Sequence, residues 1–188
     1  MPVKPTQAFS LQSLIGKTKE DLELRKHLTD DDLKRIGNII VKQIRTRTQG
    51  GIGVDNSGKE YKLGSKPYTP GYAKQKGVSR SDVDLTLTGD MLENLIVKSV
   101  DNKNITISVN ERDYGKLRGA EEGVYQRTGK PNKSGKYKLT KVKRPFFHLS
   151  SNDIDAIQNT KDYQRILDNA AVKMANDILR KSLAEGQK

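Results

Sequence analysis

The sequence predicts an α+β fold: an antiparallel sheet around a central β-hairpin, packed by two long amphipathic helices, with long basic loops and an N-terminal arm. Three observations predict it. Residues 96–100 and 105–109 alternate apolar and polar, and Asp101-Asn-Lys-Asn104 separates them. Asn and Asp tolerate left-handed backbone and bond their own amides, so the pair reads as a hairpin with one buried face. Leu33, Ile36, Ile40 and Ile44 recur at spacings of three, four and four, which is one stripe of a helix. Tyr163, Ile166, Leu167, Ala170, Met174, Ile178 and, at the end, Leu179 and Leu183 mark a second helix.

Composition bounds the organisation. Of 188 residues 33% are hydrophobic, 31% are charged and 5% are aromatic, with no Trp. That is lean for a compact monomer, so part of the chain is expected to be extended or to find its burial against another subunit. The division expected is an arm over residues 1–28 and a single domain over 29–188. Absence of cysteine excludes disulfides and thiolate metal sites and suits folding in the cytosol. No apolar run approaches the roughly 20 residues that span a bilayer. Met-Pro-Val-Lys-Pro at the start lacks the apolar core of a secretion signal. The expectation is a soluble, non-secreted protein with no membrane contact.

In chain order, residues 1–28 carry scattered leucines and a Gly16 interruption, which reads as an arm able to dock on a neighbouring copy. Thr29-Asp-Asp-Asp32 is a helix start, with a capping hydroxyl and acids at the positive end of the dipole. The helix behind it runs for about 18 residues and ends at Gly50-Gly51, and its stripe should cover the buried face of the hairpin. Gly37 weakens its middle. Residues 50–80 read as long and mostly irregular, with a helical turn or two over Pro70–Lys76, closed by Gly77. Thr88 can cap a short helical turn bearing Met91, Leu92 and Leu95. After the hairpin, Glu111–Tyr125 has helical character, with Tyr114, Leu117, Val124 and Tyr125 as its apolar positions. A Gly/Pro/Ser/Lys loop over Arg127–Arg144 includes a candidate strand at Lys138–Val142. Arg144-Pro-Phe-Phe-His-Leu149 brings two aromatics together, and Ser150 or Ser151 caps the next turn. The last helix runs from about Thr160 to Ala184, stopped by Gly186. Core or interface anchors are Ile36, Ile40, Ile44, Met91, Leu92, Leu95, Phe146, Phe147, Ile166, Leu167, Met174 and Ile178.

Motifs for chemistry are weak. Gly53-Val-Asp-Asn-Ser-Gly58-Lys59-Glu60 nearly spells a phosphate-binding loop, but Glu60 replaces the Ser or Thr that would hold magnesium, and a helix precedes it. An Asn-Ser-Gly turn is the better reading. His27 and His148 lie far from any paired acids at ligand spacing. Asp82/Asp84 and Asp153/Asp155 place acids two apart, a spacing that magnesium nucleases use, but Asp153 sits where a helix start attracts acids. No nucleophile elbow is present. No catalytic residue, cofactor site or metal site is assigned, and an enzyme is not expected.

Charge is the stronger signal. The net charge is +12, and from Tyr125 to Ser150 there are eight Lys or Arg and no acid. A second basic tract runs from Lys42 to Arg80, with nine Lys or Arg against Asp55 and Glu60. Such runs suit three settings: a solvated surface, phosphate-backbone contact without base readout, or an acidic protein surface. The residues singled out for contact with DNA or an acidic partner are Arg127, Lys130, Lys133, Lys136, Lys138, Lys141, Lys143 and Arg144. No helix carries the Arg, Asn and Gln pattern of sequence-specific recognition.

The order of features resembles a known family. An amphipathic helix precedes a loop with Asp55-x-x-Gly58 and Tyr68-x-Pro-x-Tyr72-x-x-x-Lys76. Leu87-Thr-Gly89-x-Met-Leu92 then leads into the hairpin. Tyr125-Gln-Arg-Thr-Gly129, Arg144-Pro-Phe-Phe-x-Leu-Ser150 and a last long helix follow. Over roughly residues 30–182 this resembles the virion morphogenesis, or tail-completion (head–tail connector), neck proteins of tailed bacteriophages. Gln126 stands near the place where the family pattern has a histidine. The resemblance implies a structural virion protein: a homo-oligomeric ring, typically of six copies, between the head-side connector and the tail tube. It would be assembled in the host cytoplasm, with non-specific contact to DNA in the channel. It leaves open tail terminator, head-closure ring and completion factor. The competing class is a free-standing basic protein that binds nucleic acid through charge alone. A weaker third is a magnesium nuclease using Asp82 and Asp84.

Overall fold

The computed structural model describes residues 6–83, 85, 90–101, 103–128 and 138–185. It opens with β1 (Thr6–Ser10), α1 (Leu11–Ile15), α2 (Lys19–Lys26) and the long α3 (Asp30–Gln49). Next come β2 (Ile52–Val54), β3 (Glu60–Lys62), α4 (Pro70–Lys76), the short α5 (Asp90–Glu93) and the hairpin β4 (Leu95–Val100) and β5 (Asn104–Val109). The remainder is α6 (Tyr114–Glu122), β6 (Val124–Thr128), β7 (Lys138–Val142), α7 (Ser151–Gln158) and α8 (Lys161–Glu185). This is the mixed α+β fold expected, with small antiparallel sheets and a long last helix.

The hairpin sits where the sequence puts it, but β5 is its central strand and the sheet order is β1-β5-β4. Asp101 closes the turn by accepting the amides of Lys103 at 2.7 Å and Asn104 at 2.8 Å. Ile105, Ile107 and Val109 of β5 are buried, opposite Val100, Val97 and Leu95 of β4. A bulge between Val97 and Ser99 brings Val100 back to the inner face, which strict alternation could not do. Ile96, between the inward Leu95 and Val97, points outward at 44% exposure. Leu95, expected on the helical turn with Met91 and Leu92, is the first residue of β4, and all three are buried. The capping role read for Thr88 lies outside the described residues.

The reading of residues 1–28 as an arm is corrected over its described part. β1 pairs antiparallel along β5 from Thr6↔Ser108 to Ser10↔Asn104, and Phe9, Leu11 and Leu14 are buried in the core. The carbonyl of Leu14, orphaned at the end of α1, accepts from Tyr163 Oη at 2.7 Å and Gln158 Nε2 at 2.7 Å. The segment is thereby stitched to α7 and α8 of its own chain.

α3 is capped as its sequence predicts: Thr29 Oγ1 accepts the Asp32 amide at 3.2 Å, and the Asp32 carboxylate accepts the Thr29 amide at 3.0 Å. Leu33, Ile36, Ile40 and Ile44 are buried, and each contributes about 1.5–3 kcal/mol. Gly37 is what lets this helix lie on the sheet. A Cβ added there would sit 2.6 Å from Val97 Cγ2 and 3.0 Å from Ile105 Cγ2. The glycine that weakens the isolated helix is therefore a point of close approach.

Three further readings change. Residues 50–80 are ordered by the β2–β3 ribbon and by their own small cluster of Leu63, Tyr68, Ala73 and Val83. Val124 and Tyr125, assigned to a helix, start β6, whose partner is β7. α8 packs on α2, α3 and α7, with Tyr163, Ile166 and Ala170 buried and Leu167 partly so. Past Met174 the stripe leaves the body: Ile178, Leu179 and Leu183 are 59%, 59% and 68% exposed.

Gly37→Ala gains up to about 1 kcal/mol of helix propensity but overpacks the helix–sheet contact by about 1–3 kcal/mol. A net loss of unfolding free energy by urea denaturation is expected; a net gain would show that the contact is looser than described.

Candidate functional site

The Arg-Pro-Phe-Phe corner, residues 144–150, has no regular secondary structure, yet Arg144, Pro145, Phe146, Phe147 and Ser150 are all buried. Side chains from distant elements satisfy its backbone. Glu121 Oε1 accepts the amides of Phe146 at 2.9 Å and Phe147 at 3.0 Å. Arg47, at the end of α3, donates to the carbonyls of Phe146 and, at 2.9 Å, His148. Tyr61 Oη donates to the Pro145 carbonyl at 2.9 Å. Arg47 is also ion-paired with Asp153, both almost wholly buried, and Gln43 Nε2 adds a bond to that carboxylate at 2.9 Å. Asp153 meanwhile closes the capping box of α7 with Ser150. Gly53 is required beneath the corner, because a Cβ there would lie 2.7 Å from the Pro145 carbonyl and 2.6 Å from the Tyr61 ring.

One of the basic positions stands apart from the rest. Arg144 is 6% exposed, held against the body rather than solvated like Lys141 and Lys143. Its amide donates to the Ala120 carbonyl at 2.8 Å, Nε to Lys66 O at 2.8 Å and Nη2 to Pro67 O at 2.9 Å. Burial pushes its pKa below the ordinary arginine value, opposed by Tyr68, Tyr61 and Tyr72. The spacing signal was available: the residue before a proline in an aromatic-rich corner is more often held in place than free.

Of the other basic positions, Arg127 lies on β6 and Lys138 on β7, while Lys141 and Lys143 are exposed. Lys130, Lys133 and Lys136 lie outside the described residues. The basic tract is thus a two-stranded ribbon at its base, with Arg127 opposite Leu139 and Tyr125 opposite Lys141.

The acid pairs do not form sites. Asp153 is buried on Arg47 while Asp155 is exposed on the outer side of α7. Asp82 is exposed, and Asp84 lies outside the described residues. The near-phosphate-loop sequence is the β2–β3 turn, where Asp55 Oδ1 accepts the amides of Ser57 at 2.9 Å and Lys59 at 3.1 Å. His148 sits 3.8 Å from Glu121, and His27 sits 3.5 Å from Asp177. No group of three or more His, Cys, Asp or Glu that could hold a metal occurs among the described residues.

Sequence reasoning missed a cleft of about 450 Å³ between α4 and α6. Tyr68, Thr69 and Tyr72 form one wall, Gly115, Lys116, Gly119 and Ala120 the other, with Leu85, Met91, Val124 and Arg144 between them. Only the Tyr68/Tyr72 spacing hinted at it, since the walls come from segments distant in sequence.

No protein-family model matches the chain, and neither curated proteins nor solved structures contain a match to it. No helix among the described residues is long and apolar enough to cross a membrane.

Asp153→Ala should cost about 3–5 kcal/mol, because it leaves the Arg47 charge buried and unpaired. Combining it with Arg47→Met should cost less than the sum of the single changes, read from urea unfolding. Strict additivity would show that the two side chains act separately.

Burial raises the Glu121 pKa above its ordinary value, so the folded state keeps a proton that the unfolded state has released. The contribution of this group to stability is accordingly full below the ordinary glutamate range and falls as pH rises through the folded value. Glu121→Gln keeps an oxygen for the two amides and should flatten that part of the stability–pH curve. An unchanged slope would assign it to another group.

Proposed function

We propose that this chain is a structural component of a bacteriophage neck, a ring subunit joining the head-side connector to the tail. The structural observation that supports this reading best is the outer half of α8. Ile178, Leu179 and Leu183 stand 59–68% exposed along its end, and Val172 adds a further exposed apolar side chain at 60%. Large apolar residues in such density on one helix are characteristic of surfaces completed by another chain. The order of sequence features adds support, above all the Thr-Gly turn and the Arg-Pro-Phe-Phe corner. That corner is held by Arg47, Tyr61 and Glu121.

The basic ribbon gives the reading a setting. Repeated around a ring, the Lys and Arg of β6, β7 and the segment between them would line a channel edge or meet acidic neighbouring rings. The second reading, a free-standing protein bound to nucleic acid by charge, is favoured by the same basic tract. Asp82 and Asp84 as a magnesium site receive no support from the described geometry.

Mass by light scattering across a salt titration separates the two. A ring that persists at high salt and binds DNA weakly supports the neck reading. A monomer whose DNA affinity falls steeply with salt, about −0.9 in log units per phosphate neutralised, sinks it in favour of the second.

Changing Lys130, Lys133, Lys136, Lys141 and Lys143 to Gln should leave the unfolding free energy within about 0.5 kcal/mol of the parent. Joining of heads to tails, or DNA retention in the particle, should fall. Normal particle yield at low salt would make the ribbon ordinary solvated surface.

A further inference from the structure

The cleft between α4 and α6 contains a cation that no described carboxylate neutralises. Arg47 and Arg144 are about equally buried, at 7% and 6% exposure, and among the described residues Arg47 has a carboxylate while Arg144 has none. The guanidinium of Arg144 is held by two carbonyls and lies 5.4 Å from the centre of the Tyr68 ring. No carboxylate among the described residues lies within ion-pair distance of it, and none lines the cleft. Carbonyls and a ring face solvate such a charge but do not neutralise it. Lys116 adds a second cation, half-exposed and shared with Asp113 at 2.7 Å. The space beside them is apolar. Leu85, Met91 and Val124 line it, and Val124 remains 44% exposed. The wall formed by α6 is open: a Cβ added at Gly115 would meet nothing within 4 Å.

We propose that this cleft is the docking site for a segment of a neighbouring polypeptide that presents an apolar side chain beside a carboxylate. The apolar group fills a volume of ligand size, and the carboxylate completes Arg144. Charge complementarity selects this occupant. A purely apolar segment would bury the guanidinium further without an anion, and a segment as basic as this chain's own ribbon would be repelled. The inference rests on the assembly reading only for its setting, an adjoining ring with an acidic surface.

Gly115→Leu fills the cleft from a helical position, improves helix propensity and keeps every basic residue. A fluorescein-labelled peptide Gly-Glu-Phe-Leu-Glu-Gly and its counterpart Gly-Gln-Phe-Leu-Gln-Gly would be titrated by anisotropy into the parent and the variant, with mass measured separately. The parent should bind the Glu peptide about tenfold tighter than the Gln peptide, and G115L should lose that binding by about tenfold or more. On the parent alone, the Glu peptide should shift the amide resonances of Gly115, Gly119 and Ala120, which tests the site even if the variant fails to fold. Equal affinity of parent and folded G115L, or shifts confined to residues 138–143, would assign binding to the basic ribbon and overturn the proposal. Equal affinity for both peptides would overturn the role of the charge. No peptide binding, with self-association of the parent abolished in G115L, would make a second copy the occupant and overturn it as well. Because the titration is read at whatever mass the chain adopts, its failure and the failure of the ring reading are separate results.

Discussion

The Arg47–Asp153 pair is the constraint on which the two ends of the fold depend. α3 supplies the arginine, α7 the carboxylate, and the irregular corner between 144 and 150 is strung on both. An extended segment buried in a core has no ladder to satisfy its amides and carbonyls, so each must find a partner or carry a desolvation penalty. Here Arg47 takes two carbonyls, Glu121 takes two amides and Tyr61 takes one more carbonyl. Phe146 and Phe147 can then enter the core, where Phe147 meets Phe9 edge-on at 6.4 Å. Remove the charged pair and the aromatic pair has no fixed route inward.

The same logic explains which parts of the structure were legible. Local chemistry was readable where one short segment contains both halves of the interaction: Thr29 with Asp32, Ser150 with Asp153, Asp101 with the amides two and three residues on. The stripe Leu33, Ile36, Ile40, Ile44 was readable because the helix period is written in it. β1 was not. Thr-Gln-Ala-Phe-Ser carries one large apolar residue, and it becomes a strand only because β5 offers an edge nearly the whole sheet away in sequence. Gly37 was read only for its local cost to the helix, while its use is tertiary.

The candidate site divides along the same line. Charge is visible in a sequence; burial is not. Arg144 looked like its neighbours Lys141 and Lys143, and only the approach of Lys66, Pro67 and Tyr68 distinguishes it. The stripe of α8 was read as continuous through Ile178, but period says which face is apolar and not where its partner stops. The subunit body ends before the helix does. The cleft was invisible for a third reason: its walls are brought together by the fold from residues 68–72, 115–120 and 144.

Strand β1 has a consequence for how the molecule comes into being. β5 is made later in synthesis than β1, so Thr6–Ser10 stays without its strand partner until the hairpin turns back to receive it. Closure of that long loop comes late because its entropy is lost before the sheet rewards it. β1 thus acts as a latch, closing on the surface that the hairpin and α3 make.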